Sequence, residues 1–273
     1  MKFGIGQSVK RVEDKDLLLG LGRYTDDELP GEGYAVAFLR SPYAHAVLTS
    51  LDISEASSAP GVIMAASHAD MAADNVGEIH CQAYVDNSDG TVVPRITKPA
   101  MIADVVRYAG DIAAMVVAET RQQAMDAIEL IEADYESMPA VCDVYAALED
   151  GAPQLYDCYP NNVVFDWASG DLDNARIKIE AAKAEGHKIV EIDVINSRLL
   201  ASALETRPVV AKPDNEKLTL WLPSQGPAPL ARQIAEALNM NDGDLQVLTG
   251  HVGGGFGYKI FLHPEQLCVA WAA

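Results

Sequence analysis

The sequence predicts an α+β chain in two parts. Short apolar runs bounded by turn residues open it, strand and helix periodicities alternate after them, and one loop rich in turn residues divides the whole. In the first part "YAVAFLR" (34–40), "VLTSLDI" (47–53) and "GVIMAAS" (61–67) read as strands. "DIAAMVVAE" (111–119) is a continuous apolar run of the buried-strand type. Thr120 with Gln123 three residues later has capping-box spacing and starts a helix, whose stripe is Ala124, Ile128 and Ile131. "EADYESMP" (132–139) follows as a strand ended by Pro139, so strand, helix and strand stand in a βαβ-like order. The loop "LEDGAPQLYDCYPNN" (148–162) is the natural boundary, near residues 150 to 165.

The second part repeats the alternation. "DNARIKIEAAKAEGH" (173–187) predicts a helix with Ala175, Ile179 and Ala182 on one face and Gly186 as its stop. "KIVEIDVIN" (188–196) puts Val190, Ile192 and Val194 on one side, and "KLTLWLPS" (217–224) does the same with Leu218, Leu220 and Leu222, so both read as half-buried strands. "GPAPLARQIAEALNM" (226–240) tolerates its prolines in the first helical turn and carries Leu230, Ile234 and Leu238 as a stripe. "LQVLT" (245–249) is a short strand. The closing "HPEQLCVAWAA" (263–273) starts a helix at Pro264, with Leu267, Ala270 and Trp271 spaced for burial. The chain stops inside that pattern, so the stripe is expected to need a surface from later residues, and the tail to be mobile or self-associated without one.

Composition narrows the function. With 273 residues and 49% hydrophobic content the chain is a soluble globular protein, and no apolar run approaches the roughly 20 residues of a membrane span. The start lacks the apolar core of a secretory signal, which makes cytoplasm the default. Forty acidic against 20 basic residues give a formal charge of −20, which repels nucleic acid. Cys81, Cys142, Cys158 and Cys268 form no C-x-x-C pair and are expected to be isolated thiols. The six histidines show no ligand spacing; His251, beside the glycine loop, is the one of interest.

That loop, "TGHVGGGFGYK" (249–259), is the strongest chemical feature. Tyr258 stands where the dinucleotide fingerprint needs glycine, and Lys259 follows tyrosine and precedes Ile260, which breaks the phosphate-loop pattern. Gly253, Gly254, Gly255 and Gly257 can instead form an amide-lined concavity for oxygen anions with Phe256 packing over it; a flexible turn is the plain alternative. Gly255 in particular is expected to combine positive φ with close approach to a ligand.

With this loop the sequence resembles the molybdenum-binding large subunit of the xanthine dehydrogenase, aldehyde oxidase and aerobic carbon monoxide dehydrogenase family. "GQSVKRVEDKDLLLGLGRYTDD" resembles that family's opening and "LRSPYAHA" its next block. "YAGDIAAMVVAETRQQAMDAIELIEADYESMPAVCD" resembles its hammerhead domain, and "ALETR", "WLPSQGP" and "VGGGFGYK" follow in family order. The resemblance implies a hammerhead domain over 1–155 and the first part of a molybdenum-cofactor-binding domain over 156–273. It implies that Gln225 hydrogen-bonds an oxo ligand of molybdenum, the alternative being an exposed strand-end glutamine. By the same resemblance Gly253, Gly254, Gly255, Phe256 and Gly257 approach the metal and pterin. No protein side chain is expected to ligate the metal, since a pterin dithiolene does so. Glu205 either borders the cavity or is a salt-bridged structural carboxylate, and Tyr258 departs from the small residue or asparagine usual in relatives.

The general base, a late glutamate, would fall beyond residue 273, so no catalytic residue is expected in this chain. The resemblance then describes the first part of a molybdenum subunit, a split-gene product or a truncated chain. Its partners would be the remainder of the subunit, an iron–sulfur (2Fe-2S) subunit and an FAD subunit, and its substrate a small aldehyde, N-heteroaromatic or CO-like molecule; the opening blocks look most like the carbon monoxide dehydrogenase branch. The alternative is a non-catalytic assembly module that docks other subunits without binding metal.

Overall fold

Every residue of the strand Ile112–Ala118 is buried, and the larger part of the molecule is built around it. The computed structural model describes residues 6–28, 33–82, 84–214, 217–241 and 243–273. Contacts divide the chain into a larger unit, Met1–His80, Thr97–Ala140 and Ser202–Ala273, and a smaller one, Cys81–Ile96 and Val141–Ala201. In chain order the larger unit carries α1 (Asp14–Leu18), β1 (Ala35–Arg40), β2 (Ala46–Asp52), α2 (Ser54–Ser57), β3 (Val62–Ser67), α3 (His68–Ala73) and β4 (Ile79–His80). It continues with β5 (Thr97–Lys98), β6 (Val105–Val106), β7 (Ile112–Ala118), α4 (Arg121–Ile128) and β8 (Glu132–Ser137). After α5 (Leu172–Ala184), which belongs to the smaller unit, it resumes with β9 (Val210–Pro213), β10 (Leu218–Trp221), α6 (Pro227–Ala237), β11 (Leu245–Leu248) and α7 (Pro264–Ala272).

β7 is the middle strand of an antiparallel sheet β1-β7-β3 whose two faces are both covered. Ala114, Val116 and Ala118 join Ala124, Ala127 and Ile128 of α4, while Met115 and Val117 join Leu220, Leu230, Ile234 and Leu267. A strand covered on both sides has no polar face, which is why "DIAAMVVAE" reads as an unbroken apolar run. α4 begins as expected: the Thr120 side chain accepts the Gln123 N–H. The βαβ-like order, however, is not a βαβ unit. β8 pairs with β2 in the separate sheet β6-β2-β8, because β1 and β3 already occupy both edges of β7.

Two further expectations change. α5 forms, with Asp171 capping it through a bond from the Asn174 N–H, and Gly186 follows at φ +81°, yet none of its residues is buried. Capping and propensity suffice to form the helix, and no residue of its apolar face joins an apolar core among the described residues. The strand expected over 188–196 is absent: Val190, Ile192 and Val194 are exposed, since alternation creates a face but no described strand lies beside it to accept its backbone hydrogen bonds. At the other end, α7 does not wait for a later surface. Leu267, Cys268 and Ala270 are buried in the core that includes β7, β10 and α6.

Candidate functional site

Two parallel strands deliver the candidate site. β10 and β11 pair from Leu218 with Leu245 to Trp221 with Leu248, and α6 connects them, so the chain leaves both strands at the same end. Open α/β units bind ligands at that carboxyl end. After β10 comes the turn Ser224–Gln225–Gly226, which runs into α6 at Pro227; after β11 comes the glycine loop.

Turn and loop are stitched together. The Gln225 N–H donates to the Lys259 carbonyl at 3.0 Å, and the Gly257 N–H donates to Gln225 Oε1 at 2.9 Å. The second bond needs an acceptor, which fixes the side-chain amide with its oxygen on Gly257. Gln225 Nε2 then keeps its N–H groups without a partner among the described residues, on an exposed side chain. Within the loop Gly254 (φ +105°), Phe256 (φ +50°) and Gly257 (φ +85°) are left-handed. The N–H groups of Gly254, Gly255 and Phe256 have no partner among the described residues, and consecutive free amides are the general ingredient of backbone anion sites. Phe256 is a non-glycine residue in a strained region, at a cost of about 1–3 kcal/mol, and the residue is 72% exposed.

The structure therefore gathers Gln225, Gly253, Gly254, Gly255, Phe256 and Gly257 but divides their roles. Gly255 is not left-handed, contrary to expectation. What demands glycine there is Gln225, whose Cδ would lie 2.6 Å from an added Cβ. The Gly253 N–H is spent inside the protein, on Glu205 Oε2 at 2.8 Å. Glu205 is the salt-bridged carboxylate of the two alternatives: Lys259 Nζ lies 3.1 Å from Oε2 and 2.7 Å from the Glu205 carbonyl, and the Thr25 N–H donates to Oε1 at 3.3 Å. Lys259 is 1% exposed. The sequence offered this lysine only as a phosphate ligand, and its partner Glu205 stands 54 positions earlier.

The flanking residues serve as anchors. Tyr258 stacks under Arg207 at 5.4 Å, and its carbonyl accepts from His263 Nε2 at 2.7 Å. Burial lowers the His263 pKa, so the ring is neutral at pH 7. His251 is a backbone pin, accepting the Arg23 N–H at Nδ1 (3.0 Å) while its own N–H donates to the Arg23 carbonyl (2.9 Å). An open cavity of about 750 Å³ adjoins it, lined by Arg11, Arg23, Tyr24 and Glu28 among others. Its arginines are already neutralised, Arg11 by Asp14 at 2.6 Å and Arg23 by Glu28 at 3.0 Å. No group of three potential metal ligands occurs among the described residues, and no described helix is long and apolar enough to cross a membrane.

Residues 19–139 match the family model of the aldehyde oxidase and xanthine dehydrogenase a/b hammerhead domain, and residues 155–273 that of the molybdopterin cofactor-binding domain. The nicotine 6-hydroxylase large subunit of Paenarthrobacter nicotinovorans is 32% identical over 98% of this chain and 32% of its own length. The carbon monoxide dehydrogenase large chain of Afipia carboxidovorans is 33% identical over 99% of this chain and 33% of its own. The crystal structure of quinoline 2-oxidoreductase from Pseudomonas putida 86 superposes with a TM-score of 0.79 at 34% identity, covering 100% of this chain and 33% of that one. The chain spans about a third of the length of the curated relatives it matches. With the two domain types of these subunits matched in order, the chain belongs to the aldehyde oxidase and xanthine dehydrogenase family.

Proposed function

We propose that this chain supplies one wall of the molybdenum–pterin pocket of a hydroxylase, with Gln225 and the amides of Gly254, Gly255 and Phe256 as its donors. The observation that carries the reading is the row of unpartnered N–H groups beside the free Nε2 of Gln225, at the common end of two parallel strands. Donors held in place by other bonds match a ligand of oxygen acceptors without reorganisation, and the missing Cβ atoms of Gly254 and Gly255 let Phe256 and Gln225 pack against the loop that carries them. The bound group supplies two-electron oxidation with a water-derived oxygen. In this chain Gln225 donates to an acceptor of that group, Gly257 orients Gln225, and Phe256 presents its exposed ring at the rim.

The complete enzyme is proposed to hydroxylate an aldehyde, N-heteroaromatic or CO-like substrate, a range that spans the nicotine, quinoline and carbon monoxide of the similar proteins. Iron–sulfur and FAD subunits would take the electrons, and the base would come from outside these 273 residues. Three exposed free cysteines favour a reducing, cytoplasmic setting. In the assembled enzyme Gln225→Ala is expected to lower kcat about 10- to 1000-fold at full molybdenum loading, the range for one preorganised donor. Unchanged kinetics would remove Gln225 from the site. The rival reading, an assembly module without metal, draws support from the exposed apolar run that includes Ile192, Val194, Leu199 and Leu200. Molybdenum and pterin content of the purified chain, alone and with the rest of the subunit, separates the two.

A further inference from the structure

We propose that Glu205 and Lys259 are positioning residues for the glycine loop: one buried ion pair holds both ends of the loop, so that the three amides between them stay free for a ligand. The inference rests on reading that loop as a cofactor cradle. Glu205 grips Gly253 twice, its Oε2 accepting the Gly253 N–H at 2.8 Å and its own N–H donating to the Gly253 carbonyl at 3.2 Å. From the far end of the loop Lys259 Nζ reaches the Glu205 carbonyl at 2.7 Å and Oε2 at 3.1 Å. Residues 253 and 259 bracket Gly254, Gly255 and Phe256, and both terminate on one residue 48 to 54 positions earlier in the chain.

Neither charged group is available to a ligand itself, since the side chains are 0% (Lys259) and 9% (Glu205) exposed. Their charges cancel locally, which leaves the loop dipoles as the dominant field. The pair also reaches the other half of the site. The carbonyl that accepts the Gln225 N–H belongs to Lys259, so a shift of Lys259 moves Gln225 as well. Glycine at 253 permits the clamp, because an added Cβ would meet the Glu205 Cβ at 2.5 Å.

The test compares the full chain with Glu205→Gln, Lys259→Met and the double variant Glu205→Leu/Lys259→Met, reading thermal unfolding and residue-resolved amide exchange. The informative amide is Gly257, whose bond to Gln225 involves neither side chain of the pair. Each single variant is expected to raise Gly257 exchange about tenfold or more relative to β7 and α6, as a local opening would. In the double variant, apolar replacement of a buried pair is expected to recover the melting temperature while Gly257 exchange stays high. Wild-type protection of Gly257 in the single variants, or its recovery together with the melting temperature in the double one, overturns the proposal. If the single variants do not fold, the double variant decides alone. Molybdenum and pterin content of the reconstituted enzyme is read separately. A loosened loop with full cofactor content leaves the positioning role standing and removes the cradle reading.

Discussion

A methyl group at Gly253 would lie 2.5 Å from the Glu205 Cβ and 3.1 Å from the Glu205 nitrogen, so no rotation of a flexible side-chain end relieves the clash. Gly253→Ala is therefore expected to cost about 1–3 kcal/mol, the usual range for overpacking, measurable by urea unfolding. Gly257→Ala meets nothing within 4 Å, but its φ of +85° charges the substitution about 1–2 kcal/mol through the backbone alone. Losses of similar size would thus arise from two causes, and a Glu205→Gly background, which removes the clashing Cβ, relieves the first only. If that background leaves the Gly253→Ala loss unchanged, the clash is not its origin. Cysteine reactivity is set the same way, by surroundings. Cys268 is buried and its thiol pKa is pushed up to about 12, burial being the main cause, while Cys81, Cys142 and Cys158 are exposed. A thiol reagent acts on the thiolate, so three of the four cysteines are expected to react in the native chain and the fourth only on unfolding. Four equally fast thiols would show that α7 is not docked.

α7 shows how an element is held by more than its apolar stripe. Gln266 Oε1 accepts the His263 N–H at 3.0 Å, and Arg40 lies 2.7 Å from Glu265 in the first turn. Burial alone would raise the Glu265 pKa, but a backbone N–H and Arg40 outweigh it and hold the carboxyl below its usual range. Burial lowers His263. Both groups thus have folded pKa values below their unfolded ones, so their contributions are present at neutral pH and lost on acidification: His263 below about 6.5, Glu265 below about 4.5. The chain is expected to be less stable at pH 5.5 than at 7.5, with a smaller drop in His263→Asn; equal drops would mean His263 is not kept neutral by the fold. Arg40→Ala should cost about 1 kcal/mol at pH 7.5. The helix, its proline start and its stripe were legible because they are periodic and local, as were β7, α4, the strands β10 and β11 and the glycine loop after the second. What was not legible is pairing. Nothing in "EADYESMP" says that its partner is β2, and nothing near residues 188–196 says that a strand partner is missing. The same limit hid the Glu205–Lys259 clamp, whose members are 54 positions apart.

Across the whole molecule, burial is distributed unequally between the two units. The larger contains all three apolar clusters, the first of which runs from Ala66 through Leu220 to Ala270 and so ties early and late residues into one core. In the smaller unit Val93 and Tyr159 are the buried hydrophobics among the described residues, and loop bonds such as Ser88 N–H to the Asp166 carbonyl (2.9 Å) carry much of its order. Its last stretch, 188–201, has neither helix nor strand, with Ile192, Val194 and Ile195 each 75% exposed. Backbone without ladder bonds or buried side chains opens at almost no free-energy cost, and proteases cut where about ten residues can extend freely. Trypsin is therefore expected to cleave after Lys188 and Arg198 early, while Lys98 and Arg107, beside buried strands, and Lys259, 1% exposed, stay intact. The larger unit should survive as two fragments that remain associated, because the first cluster draws residues from both sides of the cut. Mass spectrometry of the nicked chain after gel filtration reads both results. Separation of the fragments would mean that this cluster does not hold the two sides together, and resistance at Lys188 and Arg198 would mean that the exposed apolar run is covered in solution.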